Sequence, residues 1–182
     1  MQRYIIVTGL PASGKSTICR AVAAALDLPM LDKDEILEGL FASEGIGNAQ
    51  WRTRLSRVAD EALKESAMRT DRAVIASWWR HPASDLNTGT PAEWLSSLAG
   101  ALIELHCVCT AKVAAERFLS RKRHEGHLDH LKTRAQVLES FQRFATHGPL
   151  GIGRLVKVHT EKDVDLSSVL AEIELASIVD LR

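Results

Sequence analysis

Apolar residues along this chain fall into two kinds of run. Short continuous stretches, Tyr4-Ile5-Ile6-Val7, Pro29-Met30-Leu31, Ala73-Val74-Ile75-Ala76, Leu102 to Val108 and Leu155 to Val158, have the length and composition of buried strands. Between them, apolar positions recur with a helical period. Ile18, Ala21, Val22 and Ala25 form one stripe, and Leu55, Val58, Ala59 and Ala62 form another on a long helix predicted over about 48–69. A shorter helix over about 33–41 is expected before it, with Gly45 and Gly47 marking the loop between the two. Val113, Ala114 and Phe118 belong to a helix capped by Thr110, and Leu166, Val169, Leu170 and Ile173 stripe the last one. Two capping boxes are predicted: Thr90-Pro91-Ala92-Glu93, with Pro at N1 of a short helix, and Thr133-Arg134-Ala135-Gln136, opening a helix that stops before Gly148-Pro149.

Five short strands separated by helices predict a parallel sheet covered on both faces, an α/β fold of three layers, because each parallel connection needs a crossover. At 182 residues, with no internal repeat or long linker, residues 1–182 are expected to form one domain. Lys plus Arg and Asp plus Glu each number 23, so no global basic field recruits nucleic acid. No apolar run reaches membrane-spanning length, and the first strand begins without a signal-peptide pattern, which points to the cytoplasm. The three cysteines, Cys19, Cys107 and Cys109, do not make a disulfide framework; Cys107 and Cys109 read as small buried residues sharing one strand face. The oligomeric state stays open.

The most specific motif is Gly9-Leu10-Pro11-Ala12-Ser13-Gly14-Lys15-Ser16, which fits G-x-x-x-x-G-K-[ST] and stands between a predicted strand and a predicted helix. Such a loop turns successive backbone N–H groups around phosphate oxygens, and the helix adds the positive end of its dipole. Gly9, Ala12, Ser13, Gly14, Lys15, Ser16 and Thr17 are therefore the expected nucleotide contacts. Lys15 reaches the β- and γ-phosphates, and the Ser16 hydroxyl is placed to ligate Mg²⁺.

What becomes of the γ-phosphate is narrowed by absences. The guanine-reading N-K-x-D of switch GTPases is missing, and neither the third nor the fourth strand ends in the Asp usual for motor or AAA-type ATPases. Instead, Leu31-Asp32-Lys33-Asp34-Glu35 follows the second strand, at the sheet end where ligands sit. Asp32 reads as a helix cap that also serves the metal site through water, with Glu35 at N3 of the same box. Asp34, which no cap explains, is the expected binder and base for a phosphoryl acceptor hydroxyl.

A second constellation follows the fourth strand. Arg117 and Arg121 are i, i+4, so a continuing helix puts both on one face, with His124 next at i+7 and Arg123 pointing elsewhere unless the helix has already ended. Arg121 is the expected clamp on the transferring phosphoryl group, within a lid over roughly 117–132 hinged at Gly126. The segments 43–50 and 122–132 are the expected mobile parts. His124, His127 and His130 are spaced at three, but Gly126 breaks the helix a zinc site there needs; His127 is a candidate phosphate or substrate contact. Trp78, Arg80 and His81, beyond the third strand, are expected around the acceptor, with one of the pair Trp78 and Trp79 packed under a helix. Arg80 suits a carboxylate or phosphate on that acceptor.

The phosphate loop, the Asp-x-Asp after strand 2 and the Arg-x-x-x-Arg after strand 4 together resemble the small P-loop kinases. Within that group the chain resembles the nucleoside-monophosphate-kinase-like set that includes shikimate, gluconate and adenylylsulfate kinases, chloramphenicol phosphotransferase and polynucleotide 5′-kinase domains. The resemblance implies a five-stranded sheet in the order 2-3-1-4-5, Asp32 near the metal, Asp34 on the acceptor hydroxyl and Arg117 against the adenine. Ser77-Trp78-Trp79-Arg80 replaces the Gly-Gly-Gly of shikimate kinases, so shikimate is not implied. The expected activity is transfer of a phosphoryl group from ATP, with Mg²⁺, to a hydroxyl of a small molecule. A nucleotide-binding regulatory module with weak ATPase and a polynucleotide 5′-hydroxyl kinase are the alternatives.

Overall fold

From Tyr4 through Thr8, every residue of strand β1 (Arg3–Gly9) is buried, a run without alternation that requires a sheet covered on both faces. A computed structural model describes residues 3–178. β1 leads through the phosphate loop into α1 (Lys15–Ala25), then β2 (Met30–Asp32), α2 (Lys33–Glu44), α3 (Ala49–Met68) and β3 (Arg72–Ala76). There follow β4 (Ala101–Val108), α4 (Ala111–Ser120), α5 (Arg134–Ala145), β5 (Arg154–His159) and α6 (Leu166–Ile178). All pairings are parallel, in the order β2-β3-β1-β4-β5, as the resemblance implied.

The alternate side chains of β1 build two cores. Ile5 and Val7 meet Ile18, Cys19, Val22 and Ala23 of α1 and Val169 and Ile173 of α6; Tyr4 and Ile6 meet Leu63 and Ala67 of α3 and the aromatic Trp79. Both helix stripes hold in part: Ile18 and Val22 on α1 and Leu55 and Ala59 on α3 are buried as expected, but Ala25 and Val58 are exposed, and Cys19, Ala23, Leu63 and Ala67 complete the contacts. The Thr133–Gln136 capping box forms, and Thr110 caps α4. Thr90, by contrast, caps nothing. It is buried, its hydroxyl 2.6 Å from that of Ser77, and the 3-10 turn Glu93–Ser97 begins after Ala92 without a side-chain cap. Cys107 lies in the central core, where burial pushes its thiol up to about 12, whereas Cys109 is beyond the end of β4 and packs with the α4–α5 cluster. They do not share a strand face.

On the α3 side, Glu104 of β4 is a buried acid among apolar neighbours. Its carboxylate accepts the Thr8 hydroxyl at 2.8 Å and the backbone N–H groups of Leu150, Gly151 and Ile152 at 2.7, 2.9 and 3.2 Å. Four donors satisfy the charge and tie the α5–β5 connection to the sheet.

Candidate functional site

The phosphate loop forms where the motif places it. Gly9 has φ +130°, and a Cβ there would stand 2.5 Å from the Cys107 carbonyl, so the loop's first turn admits only glycine. Ala12 at φ 60° and Gly14 at φ 92° give the left-handed backbone that turns N–H groups toward one centre. Thr160, after β5, supports the loop by donating its hydroxyl to the Ser13 carbonyl at 2.7 Å. Lys15 is buried, its ammonium donating to the carbonyls of Leu10 at 2.6 Å and Gly9 at 3.1 Å. The Ser13 Oγ is buried with no hydrogen-bond partner among the described residues, while Thr17 is exposed on the next turn. An unsatisfied hydroxyl, a buried cation and inward amides fit a polyphosphate.

Burial lowers the Lys15 pKa to about 8 from 10.5, against the partial support of Cys107, Asp34 and Asp32. In the ligand-free protein the unfolded chain then binds the extra proton between those values, so this group adds stability as pH rises across that window. Nucleotide binding has the opposite sign, because phosphates need the ammonium. Calorimetry is expected to show ATP affinity falling about tenfold from pH 7 to pH 9, since the lysine must be reprotonated to bind, with the dependence absent in Lys15→Met.

Beside the loop, β2 delivers its two acids. Asp32 is the N-cap of α2, accepting the Asp34 N–H at 2.9 Å, and it is buried. Desolvation raises its pKa, and the neighbouring Ser16 hydroxyl works against that by favouring the charged form. Ser16 and Asp32 are thus adjacent, a pair of oxygen donors suited to Mg²⁺ and its waters. Glu35 does not complete the capping box; it pairs with Arg20 at 3.1 Å on the surface.

Asp34 lines a cavity of about 160 Å³ together with Lys33, Arg52, Arg57, Ser77 and Trp78. Its carboxylate pairs with Arg123 at 2.5 Å. Burial tends to raise its pKa, but Arg123, His127, Lys15 and Arg121 outweigh this and hold it below the usual value, so it is ionised at neutral pH. Beneath it, Lys33 makes a buried pair with Asp60 at 2.5 Å, which Arg57 also meets at 3.3 Å. Sequence reading missed Arg52, Arg57 and Asp60. The signal was present on α3: Arg52, Ser56 and Asp60 recur every four residues as a polar stripe beside the Leu55-Ala59-Leu63 stripe.

After β4 the structure corrects the sequence expectations. α4 ends at Ser120; Arg121 caps it, still at φ −72° with its N–H donated to the Arg117 carbonyl at 3.0 Å, so it follows Arg117 by one turn as expected, but its ψ of 143° turns the chain out of the helix and His124 does not continue the face. Arg117, which the resemblance sets against the adenine, donates to the Thr160 carbonyl at 2.7 Å, in the loop after β5. Arg121 lies over the Phe118 ring at 4.8 Å, with Asp129 at 3.7 Å and its Nε buried without a hydrogen-bond partner among the described residues. Because the helix has ended, Arg123 turns back to Asp34 and Asp129. Gly126 is no left-handed hinge: a Cβ there would stand 2.6 Å from the Phe41 ring, so its role is close packing on α2. The 122–132 segment is docked rather than loose: His127 is buried, bonded through Nε2 to Glu38 at 2.8 Å, and Arg52 holds its carbonyl at 3.1 Å.

Beyond β3 the two tryptophans divide as expected. Trp79 is buried, donating its Nε1–H to the Val7 carbonyl at 3.0 Å, and Trp78 lines the Asp34 cavity. Arg80 lines a second cavity across Trp78. His81 also borders it, but both ring nitrogens are engaged: Nδ1 accepts the Ala83 N–H, and Nε2 bonds to the Pro149 carbonyl at 3.0 Å. His81 therefore braces the loop and has no nitrogen left to orient a substrate hydroxyl.

A family model described as an AAA domain, AAA_33, matches residues 5–147. Among solved structures, a candidate kinase from Chloroflexus aurantiacus is 27% identical, with 95% of this chain and 94% of that one covered and a TM-score of 0.75. A shikimate kinase from Bacteroides thetaiotaomicron is 18% identical over 94% and 96% of the two chains, at a TM-score of 0.58. A gluconokinase from Sinorhizobium meliloti is 23% identical over 99% and 97%, at 0.56. These likenesses confirm the P-loop kinase-like fold. No curated protein matches the sequence significantly. The family name qualifies the inference drawn from the missing acid at the ends of the third and fourth strands. In this chain the acid beside the Ser16 hydroxyl comes from β2, as Asp32. No helix among the described residues is long and apolar enough to cross a membrane.

Proposed function

The chain belongs to the AAA domain family AAA_33, and from that premise we propose that it is a kinase moving the γ-phosphoryl group of ATP to a hydroxyl of a small molecule. One observation carries the reading: Lys15 and Asp34 lie within electrostatic reach of each other, and Asp34 opens onto a cavity rimmed by donors. The nearness of this ionised acid to the buried lysine of the phosphate loop supports reading it as the acceptor-binding group. Lys15, Ser13 and the loop amides hold the polyphosphate, Arg117 borders the adenine, and the acceptor occupies the Asp34 cavity. Ser16, and through water Asp32, would hold Mg²⁺, which would supply charge neutralisation on the phosphates.

In the transfer, the acceptor oxygen forms its bond to the γ-phosphorus as the bond to the β,γ-bridging oxygen breaks, and ADP leaves. The hydroxyl proton passes to the Asp34 carboxylate, which has oriented that hydroxyl beforehand. Arg121 neutralises charge spread over the equatorial oxygens. Similarity to the Chloroflexus protein over nearly the whole chain supports this assignment, and the kinases sharing the fold are compatible with it.

The test is incubation with γ-labelled ATP and Mg²⁺ against sugars, nucleosides, antibiotics and hydroxy acids. Label is expected on a small-molecule hydroxyl. Release of inorganic phosphate alone with every acceptor would instead mark a regulatory nucleotide-binding module, and label on oligonucleotide 5′ ends a polynucleotide kinase.

A further inference from the structure

The largest cavity among those described is not the one beside Asp34. It encloses about 300 Å³ between the ends of β1 and β4, the C-terminal end of α5 and the loop after β3. That volume is at the lower end of the range for small-molecule sites. Its ionisable lining is Arg80, Lys157, His81, His106 and His147 together with cysteine thiols, and no carboxylate takes part.

Several arginines of this protein pair with acids, among them Arg20 with Glu35, Arg54 with Glu44, Arg123 with Asp34 and Arg143 with Asp85, and Arg52 and Arg117 donate to backbone carbonyls instead. The Arg80 side chain does neither among the described residues. Its Nε is buried with no hydrogen-bond partner among the described residues, and its only anchorage is a backbone N–H donated to the Thr90 carbonyl at 2.7 Å. A guanidinium that lines a cavity and meets no acid is costly to hold there unless an anion joins it.

The floor adds a selective acceptor. Thr8 spends its hydroxyl proton on Glu104, so its 2.8 Å contact with His106 requires the proton on Nδ1 of that ring, an assignment made from the network. Burial lowers the His106 pKa, so the ring is neutral and Nε2 remains a lone-pair acceptor. The cavity thus offers a cation for an oxyanion and an acceptor for a neighbouring O–H. Its aromatic wall is Trp78 against Phe144, ring centroids 5.0 Å apart.

Trp78 and Thr88 line this cavity and the Asp34 cavity alike, so the two are neighbours across one indole. We propose that the Arg80 cavity seats the anionic end of the acceptor, a carboxylate or phosphate monoester, while the reacting hydroxyl lies across Trp78 at Asp34. The acceptor class is then a hydroxy acid or a phosphorylated polyol rather than a neutral sugar or nucleoside. This assignment rests on the kinase reading above and narrows it.

Two measurements test it. In the first, inorganic phosphate is titrated calorimetrically into protein saturated with a non-hydrolysable ATP analogue, which fills the phosphate loop and leaves the Arg80 cavity as the site under study. Phosphate is expected to bind, with affinity reduced at least tenfold in Arg80→Gln and to a lesser degree in Lys157→Gln, a probe at an exposed position. In the second, polyols and sugars are compared as acceptors with their matched acids and monophosphates. The anionic member of a pair is expected to have the lower KM by at least tenfold, and Arg80→Gln to shrink that ratio at least tenfold.

Phosphate binding that Arg80→Gln leaves unchanged overturns the proposal, as does a neutral acceptor preferred over its anionic partner. Phosphate that binds through Arg80 but activates transfer to neutral acceptors, without competing with any of them, also overturns it, because the cavity is then a free-anion effector site. Absence of transfer to every acceptor overturns the kinase reading itself, and this proposal with it.

Discussion

Asp34→Asn is expected to lower kcat for phosphoryl transfer by roughly 10²–10⁴-fold while leaving ATP affinity close to that of the native protein. The carboxylate lines the cavity proposed for the acceptor and is held ionised by surrounding cations, and an amide of the same shape neither takes a proton nor orients a hydroxyl as strongly. Loss of the Arg123 pair costs little stability, since half of the Asp34 side chain is exposed and the more buried Arg123 keeps Asp129 at 3.2 Å. A thermal melt should therefore stay near that of the native protein, and a collapse in turnover could not be ascribed to unfolding. Because the Asp34 pKa is lowered, kcat/KM should show no loss of this base through the range just above the normal carboxylate value. Turnover within threefold of the native enzyme would remove Asp34 from the chemistry and leave the crevice a binding site only.

The fold was readable because its elements are local and consistent. Continuous apolar runs such as Tyr4–Val7 and Ala73–Ala76 can be buried on two faces only in a parallel sheet, and the phosphate loop fixes its own flanks. Stripe phases were less legible: on α3, Val58 fits the period as well as Leu63 does, and only the position of β1 decides which faces the core. Thr90 failed as a cap for a similar reason. A Thr-Pro-x-Glu sequence is a local signal, but Ser77 and Trp79 on the neighbouring segment claimed Thr90 through a buried hydroxyl pair and a β-bridge.

At the site, what was legible followed the backbone: Lys15, Ser16, Asp32 and Asp34 all stand at the ends of strands β1 and β2. What was not legible depended on where a helix stops. Nothing in Arg117-Phe118-Leu119-Ser120-Arg121 marks Ser120 as the last residue of α4, with neither Gly nor Pro there to break it. One extended residue at Arg121 reassigns every basic group after it. Arg123, set aside on helical phase, becomes the partner of Asp34; His124 instead accepts the Gly126 N–H. His127 reaches Glu38 on α2 through a contact 89 residues apart in sequence, which no period predicts.

That reassignment sharpens the second large effect, loss of transfer in Arg121→Ala. Two arginines of the docked segment are candidates for the phosphoryl clamp, and the structure gives them different commitments. Arg123 is saturated by Asp34 and Asp129, whereas Arg121 touches Asp129 only at 3.7 Å and keeps its Nε buried and unpartnered. Burial, reinforced by Arg123, brings the Arg121 pKa down to about 10, which still leaves it fully charged at neutral pH. An under-coordinated guanidinium beside a second cation gains most from meeting the charge that develops on a transferring phosphoryl group. Arg121→Ala is therefore expected to reduce kcat by roughly 10³–10⁵-fold, and Arg121→Lys to restore little, since an ammonium lacks the planar fork. Arg123→Ala should act mainly on acceptor KM, because it frees the Asp34 carboxylate and one side of Asp129. Single-turnover rates with saturating ATP and acceptor separate the two. If Arg123→Ala shows the larger fall in the chemical step and Arg121→Ala the smaller, the clamp is Arg123, and the Arg121 guanidinium serves to hold Asp129 and the ring of Phe118 in place.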